Sequence, residues 1–180
     1  MKNNLPYIEQ WTHRVRHGLE CAKAAGIFKN NPWMEHFPNG SCLRATEILA
    51  EYLYRKRINT IIVQGSRPDG WTHAWLTVND RGIQPEQHVT HIPIEVREAL
   101  RNYGANFEVS DTIINTQYKE NIIRDMTVVD ITIDQFGLQF TAPYIGPELD
   151  LHRQFEITSA TDYKNTYEND LYNTVRKWLT

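Results

Sequence analysis

The run Phe37-Pro38-Asn39-Gly40-Ser41-Cys42 breaks abruptly into a segment of helical periodicity, and that junction limits how the chain can fold. From Leu43 to Tyr54 the apolar residues Ala45, Ile48, Leu49, Tyr52 and Leu53 recur at helical spacing, while proline and glycine just before them bar the helix from starting earlier. The pattern predicts a helix that opens at Cys42 and buries one face. Ser41 or Asn39 stands where an N-cap belongs. The unpaired amides of a first helical turn carry partial positive charge, which favours thiolate over thiol and offers donors to an oxyanion. Cys42 is therefore the candidate nucleophile.

Two later segments supply partners. Trp71–Val78 is rich in β-branched and aromatic residues between the turns Arg67-Pro68-Asp69-Gly70 and Asn79-Asp80-Arg81-Gly82, so it reads as a strand with His73 near its start. An imidazole there can face a cleft, and its ordinary pKa suits proton transfer at neutral pH. Met126–Ile133 is an apolar strand interrupted by Asp130, a carboxylate that is costly to bury without a partner. An imidazole would be such a partner, and Asp130 would fix its tautomer and orientation. Asp134, four residues on, competes for the same role. Trp75 shares a strand face with His73 by alternation and is a wall of the site or, by preference, a core residue.

The rest is organised more coarsely. Ile8, Trp11, Val15, Leu19 and Ala22 mark an N-terminal helix with Pro6 near its start and Gly26 past its end. Asn59–Gln64 is expected to be the first sheet strand. A helix is predicted over Pro93–Tyr103, with short strands or extended loop at Phe107–Val109 and Thr112–Ile114. Phe136–Tyr144 and Phe155–Ile157 flank a loop of proline and glycine, Ala142–Pro147, and Tyr167, Leu171, Val175 and Trp178 mark a closing helix.

One domain spans 1–180 in this reading, with 19 basic and 22 acidic residues for a net charge of −3. That balance excludes the basic footprint of a nucleic-acid binder. No apolar run nears 18 residues and no signal-peptide pattern opens the chain, so no membrane partner is expected, and the chain is placed in the cytoplasm or, as an effector, on a route other than Sec. Cys21 and Cys42 are the two cysteines, without CxxC or finger spacing, so neither a disulfide scaffold nor structural zinc is expected. Cys21 has no base close in sequence and reads as structural. A metal site built from His73, His88 and His91 would need residues 88 to 91 to be helical, against Pro85, Thr90 and Pro93.

Three short motifs carry a resemblance: Asn39-Gly40-Ser41-Cys42, His73-Ala74-Trp75, and Asp130-Ile131-Thr132-Ile133-Asp134-Gln135-Phe136. Together they resemble the transglutaminase-like branch of the papain-like cysteine protease superfamily over roughly residues 37 to 136. The resemblance implies an α+β fold, in which a central helix starting at the nucleophilic Cys packs on an antiparallel β-sheet. It makes Cys42 the nucleophile, His73 the general base and acid, and Asp130 the orienting residue, with no cofactor and no metal. Compact members join the His and Asp strands by a short connection, so residues 83–125 look like an insertion here. The expected chemistry is hydrolysis of an amide bond through an acyl-enzyme, as in a peptidase, amidase or glutamine deamidase acting on a peptide or protein. Asn39 and the Cys42 amide are candidates for the oxyanion hole, and Ser41, Trp75, Asp134 and Gln135 for the substrate-facing surround. The alternatives are a transglutaminase or acyltransferase using the same triad, or a domain that binds a peptide without turnover.

Overall fold

The computed structural model describes residues 4–79, 82–91, 93–96, 98, 112–164 and 170–179. Two compact units emerge, one of Met1–Ile83 with Glu120–Thr180 and one of Gln84–Lys119. In chain order the elements are α1 (Leu5–Ala24), α2 (Cys42–Arg55), β1 (Thr60–Ser66), β2 (Thr72–Val78), β3 (Glu86–His91), β4 (Thr112–Gln117), α3 (Glu120–Arg124), β5 (Thr127–Asp130), a 3-10 turn Ile133–Phe136, β6 (Tyr144–Gly146), α4 (Asp150–Arg153), β7 (Glu156–Asp162) and α5 (Asp170–Val175), closed by a 3-10 turn Arg176–Trp178.

The larger unit is α+β. Its sheet has the order β6-β5-β2-β1-β7, with every neighbouring pair antiparallel. β1 and β2 form a hairpin, whereas β2 and β5 are neighbours despite their separation in sequence, with Leu76 opposite Val129 and Val78 opposite Thr127. Continued by one step, that register sets Asp130 opposite Trp75, on the face of β2 that carries His73. Both α1 and α2 contribute to one core, in which Val15, Leu19, Ile48, Leu49 and Leu53 meet Leu76, Val129 and Ile131. Thr46 Oγ1 of α2 donates to the Ala74 carbonyl at 3.1 Å and so ties the first turns of the helix to the middle of β2. In the smaller unit, β3 and β4 pair antiparallel from Glu86↔Gln117 to His91↔Thr112.

The strand expected over Met126–Ile133 stops at Asp130. Asp130 Oδ1 accepts the Thr132 amide at 3.0 Å, a bond two residues along the chain that turns the backbone out of the sheet and into the 3-10 turn. Arg16 of α1 holds that turn from the other side: Nη1 donates to the Ile131 carbonyl at 2.8 Å, and Nη1 and Nη2 grip Asp134 at 3.0 and 2.7 Å. The Pro/Gly loop Ala142–Pro147 also differs from its reading, because Tyr144–Gly146 pairs with β5 as β6. In the closing segment Tyr172, Val175 and Leu179 are buried while Leu171 and Trp178 are only partly covered, since the helix gives way to a 3-10 turn after Val175. Of the helix expected over Pro93–Tyr103, Pro93 is not helical and residues 94–96 and 98 are; residues 97 and 99–103, Phe107–Val109 and Tyr167 lie outside the described residues. Residues 88 to 91 are strand, so the helical spacing that a His88/His91 metal site requires is absent.

Trp75 is a core residue, 1 % exposed. Trp75→Ala is expected to cost about 3–5 kcal/mol, because the indole contacts are lost and the cavity refills only in part. Urea denaturation of the two proteins side by side would measure it.

Candidate active site

Each predicted triad member arrives by a separate structural route. Cys42 is the first residue of α2. Ser41 occupies the N-cap, but its hydroxyl donates to the Pro38 carbonyl at 2.9 Å and makes no cap bond, so Ser41 braces the preceding turn instead. Asn39 is exposed on that turn. The backbone groups of Leu43 and Ala74 both bond the Cys42 sulfur, one from the helix start and one from β2. His73, 1 % exposed, lies in the second position of β2, and Asp130, fully buried, ends β5.

His73 bridges the other two. Its Nε2 lies 2.7 Å from Asp130 Oδ2, and the ring also hydrogen-bonds Cys42. With Nε2 taken by the carboxylate, Nδ1 is left for the thiol. Phe136 meets the imidazole edge to face at 4.8 Å, with Trp75 and Phe155 at 5.6 Å, so the ring is clamped by aromatic walls. Gln135 also reaches Nδ1, its side-chain nitrogen standing 3.0 Å away.

The electrostatics follow from this geometry. Burial alone would push His73 down, but the Asp130 charge and hydrogen bond, helped by Cys42, raise it to about 9. Burial likewise works against an ionised Asp130, yet His73 and hydrogen bonds from two imidazoles hold its carboxyl well below the usual range. Burial opposes the Cys42 thiolate as well; the His73 hydrogen bond and charge and the two backbone bonds outweigh it and lower the thiol from its ordinary 9.0. The shifts run in the direction of an imidazolium–thiolate pair backed by a carboxylate.

The chain was compared with protein-family models, curated proteins and solved structures. None matches.

The structure brings Cys42, His73, Asp130, Trp75 and Gln135 together, while Asn39 is exposed on the turn before α2. Asp134 is committed to Arg16, so of the two competing carboxylates it is Asp130 that meets the imidazole. Cys21 lies on α1 with the imidazole of His17, one helical turn back, 3.5 Å from its sulfur. A nearby base therefore exists for Cys21, contrary to the expectation from sequence, because on a helix the i, i+4 spacing sets His17 beside it.

His152 of α4 was missed entirely. It is fully buried, and its Nε2 stands 3.1 Å from Asp130 Oδ2. The sequence around it, Asp150-Leu151-His152-Arg153, carries no burial pattern, and only the need of Asp130 for a further donor predicts such a residue. His73, Asp130 and His152 hold possible metal-ligand atoms within 4.8 Å of one another. The Leu149 amide, however, donates to His152 Nδ1 at 3.3 Å, which places the imidazole proton on Nε2, the nitrogen a cation would need.

The paired shifts set a pH window for stability. A histidine whose pKa is raised on folding, here from 6.5 to about 9, contributes stability that is complete below 6.5 and lost as pH climbs through 9. Asp130, depressed from 3.8, contributes stability present above that value and lost in stronger acid. In a Cys42→Ala background, where the thiol no longer titrates and Asp130 alone raises His73, the melting temperature is expected to plateau between about pH 4 and 6.5 and to fall as the pH rises above that. His73→Gln should flatten the alkaline decline in the same scan.

Proposed function

We propose that the chain is a thiol-dependent hydrolase of amide bonds in peptides or proteins, built on the transglutaminase-like variant of the papain-like fold. The observation that carries this reading is the single imidazole of His73, bound on one side to a buried carboxylate and on the other to a thiol at the mouth of a helix. The antiparallel sheet with α2 packed against it is consistent with that fold.

In the proposed cycle the Cys42 thiolate attacks the amide carbon, forming the S–C bond and an oxyanion. His73 Nδ1–H protonates the leaving nitrogen as the C–N bond breaks, giving a thioester and a free amine. Water then attacks the thioester, passing its proton to Nδ1, and the C–S bond breaks to release the acid and regenerate the thiolate–imidazolium pair. Asp130 keeps the ring in register throughout and offsets its positive charge. The Gln135 amide, within reach of Nδ1 in the resting site, is a candidate donor to the oxyanion together with the Cys42 N–H. Cys42, half-buried, is the triad member open to substrate, whereas His73 and Asp130 work from behind it.

Alkylation of Cys42 by iodoacetamide across pH, with Cys21→Ser to silence the other thiol, tests the reading. Cys42 is expected to react with an apparent pKa below the ordinary 9.0 of a thiol, and His73→Ala should return it to that of an ordinary thiol. A thiol that is ordinary from the outset and indifferent to His73 would leave a binding domain in place of an enzyme.

A further inference from the structure

We infer that His152 is a positioning residue of the same site, a fourth member that holds Asp130 in the orientation His73 requires. This inference rests on the hydrolase reading.

Asp130 is a fully buried carboxylate with three neighbours that offer it hydrogen bonds. The Thr132 amide donates to Oδ1, while His73 Nε2 and His152 Nε2 converge on Oδ2 at 2.7 and 3.1 Å. Without His152, rotation about the Cβ–Cγ bond would be restrained at Oδ2 by His73 alone, the group whose own position Asp130 is meant to fix. The third donor removes that circularity.

His152 can do this because its own position and tautomer are set elsewhere. It stands at the third position of α4, and its Nδ1 accepts the N–H of Leu149, as a Glu or Gln does in a capping box. Nε2 must then carry the hydrogen, so the bond to Asp130 runs from His152 to the carboxylate. The segment is anchored in turn by the buried Glu148, paired with Arg124 and Arg153, and by Arg124 Nη2 bonded to the Phe155 carbonyl at 3.1 Å. Trp75 packs against the His152 ring at 5.2 Å. The side chain is fully buried and the hydrogen bond it sends into the site goes to Asp130, through which its effect passes.

The test uses hydrolysis of p-nitrophenyl acetate by the full chain, with His152→Leu and His152→Gln. Glutamine places an amide N–H near the position of Nε2, whereas leucine fills similar space with no donor. His152→Leu is expected to lower kcat at least tenfold with KM within about twofold, and His152→Gln to recover most of the loss. Equal rates in the two variants, whether both normal or both impaired, would overturn the inference by reducing His152 to packing. Should the leucine variant not fold, the ¹⁵N spectrum of the wild-type imidazoles decides: an Nε2–H tautomer at His152 supports the inference, and a lone pair on Nε2 ends it. Failure of the hydrolase reading looks different, since wild-type Cys42 would then alkylate as an ordinary thiol in the experiment above.

Discussion

Asp130→Asn is expected to lower turnover by about 10³- to 10⁴-fold, against a loss of no more than about fivefold for Asp134→Asn. The two carboxylates lie four residues apart and are equivalent on paper, but they face different partners. Asp130 is buried against His73 Nε2, and an amide in its place would remove the counter-charge that raises the imidazole and would present an N–H to the ring edge that needs an acceptor. Asp134 sits in a partly exposed bidentate pair with Arg16, and its amide variant should cost about 1–3 kcal/mol of stability. Rates on an activated ester and urea midpoints, taken on the same two variants, separate the roles. A large rate loss in Asp134→Asn with a normal Asp130→Asn would invert the assignment.

Cys42→Ala should abolish turnover altogether, down to the rate of buffer, while the melting temperature moves by only a few degrees. The reason is the position of the residue: half-buried at a helix start, its sulfur is bonded by two backbone groups and an imidazole and fills little of the core. Loss of a thiol from such a place removes about 1 kcal/mol or less of packing but the entire nucleophile. If the variant failed to fold, Cys42 would be a core residue and the site reading would fall with it. In the active protein, the pH–rate profile is expected to lose its basic limb near pH 9, where His73 gives up the proton destined for the leaving group.

How far these roles were readable in the residues depended on whether the signal was local. The start of α2 at Cys42 could be predicted because proline and glycine end one conformation just where apolar periodicity begins another. β2 was equally plain, since its β-branched run is fenced by two turns. The adjacency of β2 and β5 followed from the resemblance alone, since strand pairing across a long connection leaves no mark in either strand. The exit of the chain from β5 at Asp130 was hidden too, because the apolar run continues through Ile131 and Ile133, and only the bond from the Thr132 amide to the aspartate side chain ends the strand. Arg16 and His152 are charged or polar residues that the fold buries for the sake of distant groups, Ile131 and Asp134 in one case and Asp130 in the other. Such residues follow from a partner's need and not from their neighbours in sequence.

The chain passes into the smaller unit after β2 and re-enters the larger one at α3, ahead of β5, and β2 and β5 are hydrogen-bonded to each other, with Val78 opposite Thr127. An excursion whose two ends are stapled side by side adds little constraint to its host, since closing a longer loop costs only about 0.6 kcal/mol per doubling of length. Residues between Gln84 and Lys119 can thus be lengthened, shortened or exchanged over generations while His73 and Asp130 stay in register. The contact between His73 and Asp130 is therefore held by strand pairing within the larger unit, whatever length of chain separates β2 from β5 in sequence.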